Sequence, residues 1–284
     1  MTQPAAVPGV THSFVDAGGL RTHVAEAGSG EPILMLHGWP QHWYLWRHVI
    51  PLVAPHGRAI CPDLRGFGWT DVPPSGYDRE TMARDVLALL DELGLERVRL
   101  VGHDWGGWIG FLLCLGDPGR ISRFVALNIV PPWPSGDSRD PLELWRAAYQ
   151  VPLAFPRIGR RVVEHGGADL ALRLGSKAFT KHEREEFTRR LKGDRARASE
   201  LLYRTFLTRE AIPVARGRYA SRPLEVPTLL LVGRRDPVLP TRTLRAHAER
   251  TDALQLELVP DAGHFIADEK PDLVADRMLR FFAE

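Results

Sequence analysis

Apolar residues along this chain fall into two rhythms that take turns. Between His12 and Ala27, short runs of alternating apolar and polar residues flank Gly18-Gly19, which predicts a β-hairpin. Pro32-Ile33-Leu34-Met35-Leu36 follows as an unbroken apolar run, the pattern of a strand covered on both faces. Trp43 to Val53 predicts a helix, and Arg58-Ala59-Ile60-Cys61 another strand. Asp78 then precedes Met82, Val86, Leu89, Leu90 and Leu93, an apolar stripe at helical spacing that this aspartate is placed to cap. Val98 to Val101 reads as the next strand, Trp108 to Leu115 as a buried helix, and Phe124 to Leu127 as a further strand.

The alternation stops at Pro131-Pro132-Trp133-Pro134-Ser135-Gly136. From there to about Arg222 the pattern is helical. Arg195 to Leu207 predicts one helix, and the charged stretch Lys181 to Lys192 predicts another with a solvated outer face. Strand patterning resumes at Val226 to Val232 and at Leu254 to Val259, and an amphipathic helix from about Pro271 to Phe282 ends the chain. Strands alternating with helices imply a parallel sheet whose sites lie at the carboxyl ends of the strands. The expected division is a core of residues 1–132 and 223–284, interrupted by a helical cap of residues 133–222.

Composition narrows the function classes. Over 284 residues the hydrophobic content is 44% and the charged content 25%, ordinary for a globular enzyme. A formal net charge of +2, with arginines scattered rather than clustered, argues against a nucleic-acid partner. Cys61 and Cys114 each sit in an apolar stretch, so buried free thiols are expected rather than a disulfide. Met1 to Pro8 carries neither a basic nor an apolar leader pattern, and no stretch approaches 18 apolar residues. The cytoplasm is the expected compartment, with no membrane contact. A homodimer is compatible with the pattern.

The chemistry gathers at Gly102-His103-Asp104-Trp105-Gly106-Gly107, where a predicted strand turns sharply into a predicted helix. Glycines two residues either side of Asp104 suit a strained turn with no room for a Cβ, the setting of a nucleophile elbow. A serine at the tip would attack an sp³ carbon to leave an inert ether. An aspartate leaves an alkyl ester, which activated water can hydrolyse. The motif therefore points to displacement at a strained or halogenated carbon. Its plainer reading is a βα turn with an N-capping aspartate.

Two further strand ends supply partners. Asp236, in Gly233-Arg234-Arg235-Asp236-Pro237, and His264, in Asp261-Ala262-Gly263-His264-Phe265, follow consecutive predicted strands. The order nucleophile, acid, histidine is that of α/β-hydrolases, with Asp236 orienting the base His264. His37-Gly38-Trp39-Pro40 follows an earlier strand. The amides of Trp39 and Trp105 are placed to hold the ester oxygen during attack by water, and a cis bond before Pro40 is admissible. His103, His165 and His182 read as structural.

His37-Gly38-Trp39-Pro40-Gln41 with Trp43-Tyr44-Leu45-Trp46-Arg47, Asp63-Leu64-Arg65-Gly66-Phe67-Gly68-Trp69, and the Asp104 elbow together resemble the α/β-hydrolase-fold epoxide hydrolases. The resemblance spans about His12 to Phe282. It implies an α/β fold: a mostly parallel central sheet flanked by helices, with a helical cap or lid inserted. It also implies an epoxide and water as reactants, no metal and no organic cofactor. Family members carry two lid tyrosines that serve the departing oxygen. By position these correspond to Tyr149, in Trp145-Arg146-Ala147-Ala148-Tyr149-Gln150, and to Tyr203, with Tyr219 as a rival for the second. His37, Trp39, Trp105, Tyr149, Tyr203 and Phe265 are the expected substrate-pocket residues.

Two rivals stand beside this reading. Haloalkane or haloacid dehalogenases use a similar Asp–His–Asp triad and bind halide with indole N–H groups, which Trp39 and Trp105 also offer. Some dehalogenases draw the acid from the end of the preceding strand. Here that position is Asn128, which cannot carry the charge, so Asp236 is preferred. The other rival is a non-catalytic ligand-binding protein of the same fold, which would be expected to lose part of the triad.

Overall fold

The computed structural model describes residues 3–134, 148–239 and 241–284. Among them, eight strands form one sheet: β1 (Thr11–Ala17), β2 (Leu20–Ala27), β3 (Pro32–Leu36), β4 (Arg58–Pro62), β5 (Val98–His103), β6 (Ile121–Leu127), β7 (Thr228–Gly233) and β8 (Leu254–Val259). Their spatial order is β1-β2-β4-β3-β5-β6-β7-β8. β1 and β2 pair antiparallel, as does β2 with β4; every other pairing is parallel. This is the α/β-hydrolase fold.

The central runs are apolar throughout because both faces of the sheet are covered. In β3, Leu34 and Leu36 enter the core layer on one face, while Ile33 and Met35 enter the layer on the other. β7 divides likewise, Leu230 and Val232 against Leu229 and Leu231. Alternation along a strand thus feeds two cores at once. The helix Arg79–Glu92 begins as its stripe predicts, with the Asp78 carboxylate accepting the Thr81 N–H at 2.8 Å.

Two expectations need correction. Trp43 to Val53 is not one α-helix: Trp43–His48 is a 3-10 helix, and a short α-helix, Ile50–Val53, follows. Pro51 has no N–H to continue a helical ladder from the preceding turn. The stretch after Thr180 is also less solvated than its charge implies. In the helix Lys181–Thr188, Glu186 and Phe187 are buried, and Glu183 accepts from Arg47 of the core at 2.6 Å.

Between β6 and β7 the described residues form helices and turns with no strand, including Gln150–Ala154, Ile158–Val162, Ala168–Gly175, Lys181–Thr188, Asp194–Thr205 and Ala211–Ala215. Ser135 and Gly136 of the predicted boundary, and Trp145, Arg146 and Ala147 before Tyr149, lie outside the described residues. Cys61 and Cys114 are buried and unpaired. Among the described residues, no helix is long and apolar enough to cross a membrane.

Candidate active site

Asp104 occupies the turn between β5 and the helix Trp105–Gly116 with φ 51° and ψ −123°, a conformation that non-glycine residues rarely adopt. The flanking glycines are required by contact. A Cβ on Gly102 would lie 2.5 Å from the Gly106 carbonyl oxygen, and one on Gly106 would lie 2.5 Å from that of His37. The turn is pinned by the Asp104 N–H donating to the Leu127 carbonyl at 3.1 Å.

The two carboxylate oxygens of Asp104 have different surroundings. Oδ1 accepts the Trp39 N–H at 2.9 Å, and the Trp105 amide also bonds the carboxylate. Oδ2 faces His264 Nε2 at 3.8 Å. Burial pushes the Asp104 pKa up, against the pull of His264 and the two amides. The peptide bond between Trp39 and Pro40 is cis.

Asp236 meets His264 Nδ1 at 2.9 Å through Oδ2. Its other oxygen accepts the N–H groups of Val238 at 2.7 Å and Leu239 at 3.1 Å. With Nδ1–H donated to Asp236, Nε2 of a neutral His264 is free to act as a base. Burial works to lower the His264 pKa. The Asp236 charge and hydrogen bond overcome it, Asp104 adds to them, and the group rises to about 9. The backbone of the base is tied down on both sides. The His264 N–H donates to the Gly175 carbonyl at 3.3 Å, and the His264 carbonyl accepts from His103 Nε2 at 2.9 Å. Burial holds His103 neutral, its pKa lowered to about 3.

A cavity of about 310 Å³ opens over this constellation. Asp104, His264, Trp39, Tyr149, Tyr203 and Phe265 line it, together with apolar residues that include Leu153, Leu170, Leu174 and Val238. Tyr203 is buried and packs edge-on against Trp39, Trp105 and Tyr149, with ring centroids 5.3, 5.8 and 6.1 Å away. Tyr149 keeps 37% of its surface exposed, yet its phenol, like that of Tyr203, is pushed up, first by burial. Tyr219 lies elsewhere, its hydroxyl donating to Glu80 at 2.8 Å.

Two expected pocket contacts are not formed. His37 does not line the cavity: its Nδ1 bonds the Gly38 carbonyl at 3.0 Å and its Nε2 accepts the Leu64 N–H at 2.9 Å, so both nitrogens serve the backbone. Trp105 contributes its amide to the site, while its ring packs behind Tyr203 and against Trp108 and Phe206. Asn128, set aside as the acid because it cannot bear a charge, takes part as a donor instead. Asn128, at the end of β6 with φ 46°, donates through Nδ2 to Asp236 Oδ2 at 2.6 Å and to the Gly263 carbonyl at 3.0 Å. Its place at the carboxyl end of a buried strand was the signal for it.

Comparison with known proteins agrees with this fold. Residues 31–271 match a family described as the α/β hydrolase fold. The chain is 32% identical to a soluble epoxide hydrolase from Corynebacterium sp. (strain C12), over 96% of this chain and 98% of that protein. Among solved structures it is similar to the ligand-free epoxide hydrolase CorEH, with a TM-score of 0.84 at 30% identity, covering 96% of this chain and 99% of that one. It is also similar to a mutant Pseudomonas aeruginosa protein provisionally named an epoxide hydrolase, with a TM-score of 0.84 at 27% identity, covering 99% and 98%.

Proposed function

The chain belongs to the α/β-hydrolase-fold family, among its epoxide hydrolases, and on that premise we propose that Asp104 is the nucleophile through which it converts an epoxide to a vicinal diol. Because Oδ1 is held by the Trp39 amide while Oδ2 faces His264, Oδ2 is the oxygen that attacks an epoxide carbon. The epoxide C–O bond breaks, and its electron pair goes to the epoxide oxygen, which Tyr149 or Tyr203 protonates. Both phenols, with raised pKa values, hold their protons until that charge develops.

Alkylation removes the negative charge of Asp104, one of the charges that raise the His264 pKa. The imidazole then takes a proton from water, and hydroxide adds to Cγ of the ester. The negative charge moves to Oδ1, between the amides of Trp39 and Trp105. Collapse expels the alkoxide of the diol, which recovers the proton from His264. The carboxyl proton left on Asp104 returns to the tyrosine phenolate, restoring both groups. Asp236 holds the imidazolium, and Asn128 and the amides of Val238 and Leu239 hold Asp236.

The placement of two phenols and Asp104 on one cavity carries this assignment, since the triad alone does not separate epoxides from haloalkanes. One observation favours the dehalogenase reading: among the described residues, the Trp39 indole N–H is buried without a hydrogen-bond partner while the residue lines the cavity. His264→Gln separates the two. It keeps Asp104 and removes the base, so the covalent ester accumulates. Incubated with matched epoxides and haloalkanes, the variant is expected to gain the mass of the intact epoxide on the peptide containing Asp104. Adducts from haloalkanes alone, lighter by the lost halide, would assign the protein to the dehalogenases.

Residues 1–132 and 223–284 form the catalytic core in this reading, and residues 133–222 form a cap that closes the cavity. Two buried free thiols suit a reducing compartment such as the cytoplasm.

A further inference from the structure

Arg79 is fully buried at the start of the helix Arg79–Glu92, with no surface exposed. Its guanidinium meets Oε2 of Glu210 at 2.8 Å, and its backbone N–H donates to Oε1 of the same residue at 3.1 Å. Glu210 belongs to the turn that continues the helix Asp194–Thr205. The guanidinium also donates to the carbonyls of Tyr77 at 3.0 Å and Leu202 at 2.8 Å. Its Cζ lies over the Trp105 ring, 4.4 Å from the centroid, and over the Phe206 ring at 5.0 Å. One side chain thus touches the residue that precedes Tyr203 and the residue that follows Asp104.

Stability alone does not account for such a pair. A buried ion pair is seldom better than apolar side chains of the same volume, because both charges must leave water. What it supplies is direction: a planar fork fixes the geometry of every group it bonds. Leu202 and Tyr203 are adjacent on one helix, so a shift of the Leu202 carbonyl carries the Tyr203 ring with it. The Trp105 ring beneath the guanidinium packs edge-on against that same tyrosine.

We propose that Arg79 and Glu210 are a positioning pair that sets the Tyr203 phenol over Asp104, and that they therefore govern opening of the epoxide ring rather than hydrolysis of the ester. The inference rests on the proposed role of Tyr203 as a donor to the epoxide oxygen. Neither residue lines the cavity. A pair that only braces the fold would slow both chemical steps, or neither.

The test is single-turnover kinetics with an epoxide that the wild type converts, following tryptophan fluorescence to resolve ring opening from ester hydrolysis. Arg79→Met is expected to slow ring opening at least tenfold and to change ester hydrolysis by less than twofold. Repeated in a Tyr203→Phe background, the same substitution is expected to slow ring opening by less than threefold, because the group it positions is gone. If Arg79→Met does not fold, Glu210→Gln carries the same test while preserving side-chain volume. Equal slowing in both backgrounds, or slowing of ester hydrolysis in step with ring opening, would overturn the proposal. A wild type that opens no epoxide but releases halide would overturn the functional reading itself, and this inference with it.

Discussion

At Asp104 burial and partnership pull in opposite directions, and burial wins. Ring opening needs the carboxylate ionised. Its rate is therefore expected to fall as pH drops, with a midpoint above that of an ordinary carboxyl group. Ester hydrolysis needs His264 neutral. In the free enzyme the base lies at about 9, partly through the charge of Asp104. The ester lacks that charge, so the hydrolysis rate should rise with pH through a midpoint below about 9. Stopped-flow rates measured from acid to alkaline pH check both signs. A hydrolysis step that speeds up as pH falls would contradict the assignment of His264 as base. Among the tyrosines, removing one donor to a developing oxyanion costs about 3 kcal/mol in comparable sites. Tyr203→Phe should thus slow ring opening by about ten- to a thousandfold and leave ester hydrolysis little changed. Tyr219→Phe, whose hydroxyl serves Glu80, should leave both steps near wild type in the same assay.

Elements carry these residues to the site, and loops hold the elements in place. The loop from Asp63 to Thr70 is organised by one buried carboxylate. Asp63 accepts from His23 Nδ1 at 2.7 Å and from the N–H groups of Trp43 and Trp69 at 2.8 Å each. The His23 hydrogen bond, with His23, His42 and His37 close by, overcomes burial and holds its pKa well below the usual carboxylate range. A depressed acid contributes stability that is present above its unfolded pKa and lost as pH falls through the folded one. Gly68 closes the loop at φ 47°, where an added Cβ would lie 1.9 Å from Asp63 Oδ2. Gly68→Ala combines left-handed strain with this clash and is expected to destabilise the fold by more than about 1 kcal/mol. A denaturant midpoint equal to that of the wild type would remove Asp63 from its organising role.

The whole molecule decides what the cavity admits. Described core and cap residues line it with few polar atoms away from Asp104, His264 and the two phenols. A second charge brought into this space loses its hydration and faces the anionic Asp104. An epoxide bearing a carboxylate is therefore expected to show a kcat/KM at least tenfold below that of its methyl ester. Equal values in a direct competition assay would show that the walls do not select against charge. The helix Lys181–Thr188 is held to the sheet side through charge, for Arg47 reaches both its Glu183 at 2.6 Å and Asp268 at 2.5 Å.

Local patterning was enough to read the strands, because a buried parallel strand must be apolar on both faces. β3 and β7 fall where their apolar runs lie, and Asp78 caps the helix its stripe announces. The elbow at Asp104 was legible for a similar reason: only glycine fits the two contacts beside it, so the motif has little freedom to vary. Asp236 and His264 were legible through chain order, since successive parallel strands bring their carboxyl ends to one edge of the sheet. Tertiary structure alone settled which polar groups those ends turn toward. His37, read as a pocket residue, spends both ring nitrogens on backbone groups, whereas Asn128 reaches Asp236 across 108 positions of chain. The Arg79–Glu210 pair spans 131 positions, and Tyr203 is told from Tyr219 only by its place on the cavity, the Tyr219 hydroxyl meeting Glu80 instead. A hydrogen bond depends on distance and direction at both ends, and the spacing of residues along the chain specifies neither once the partners lie on different elements.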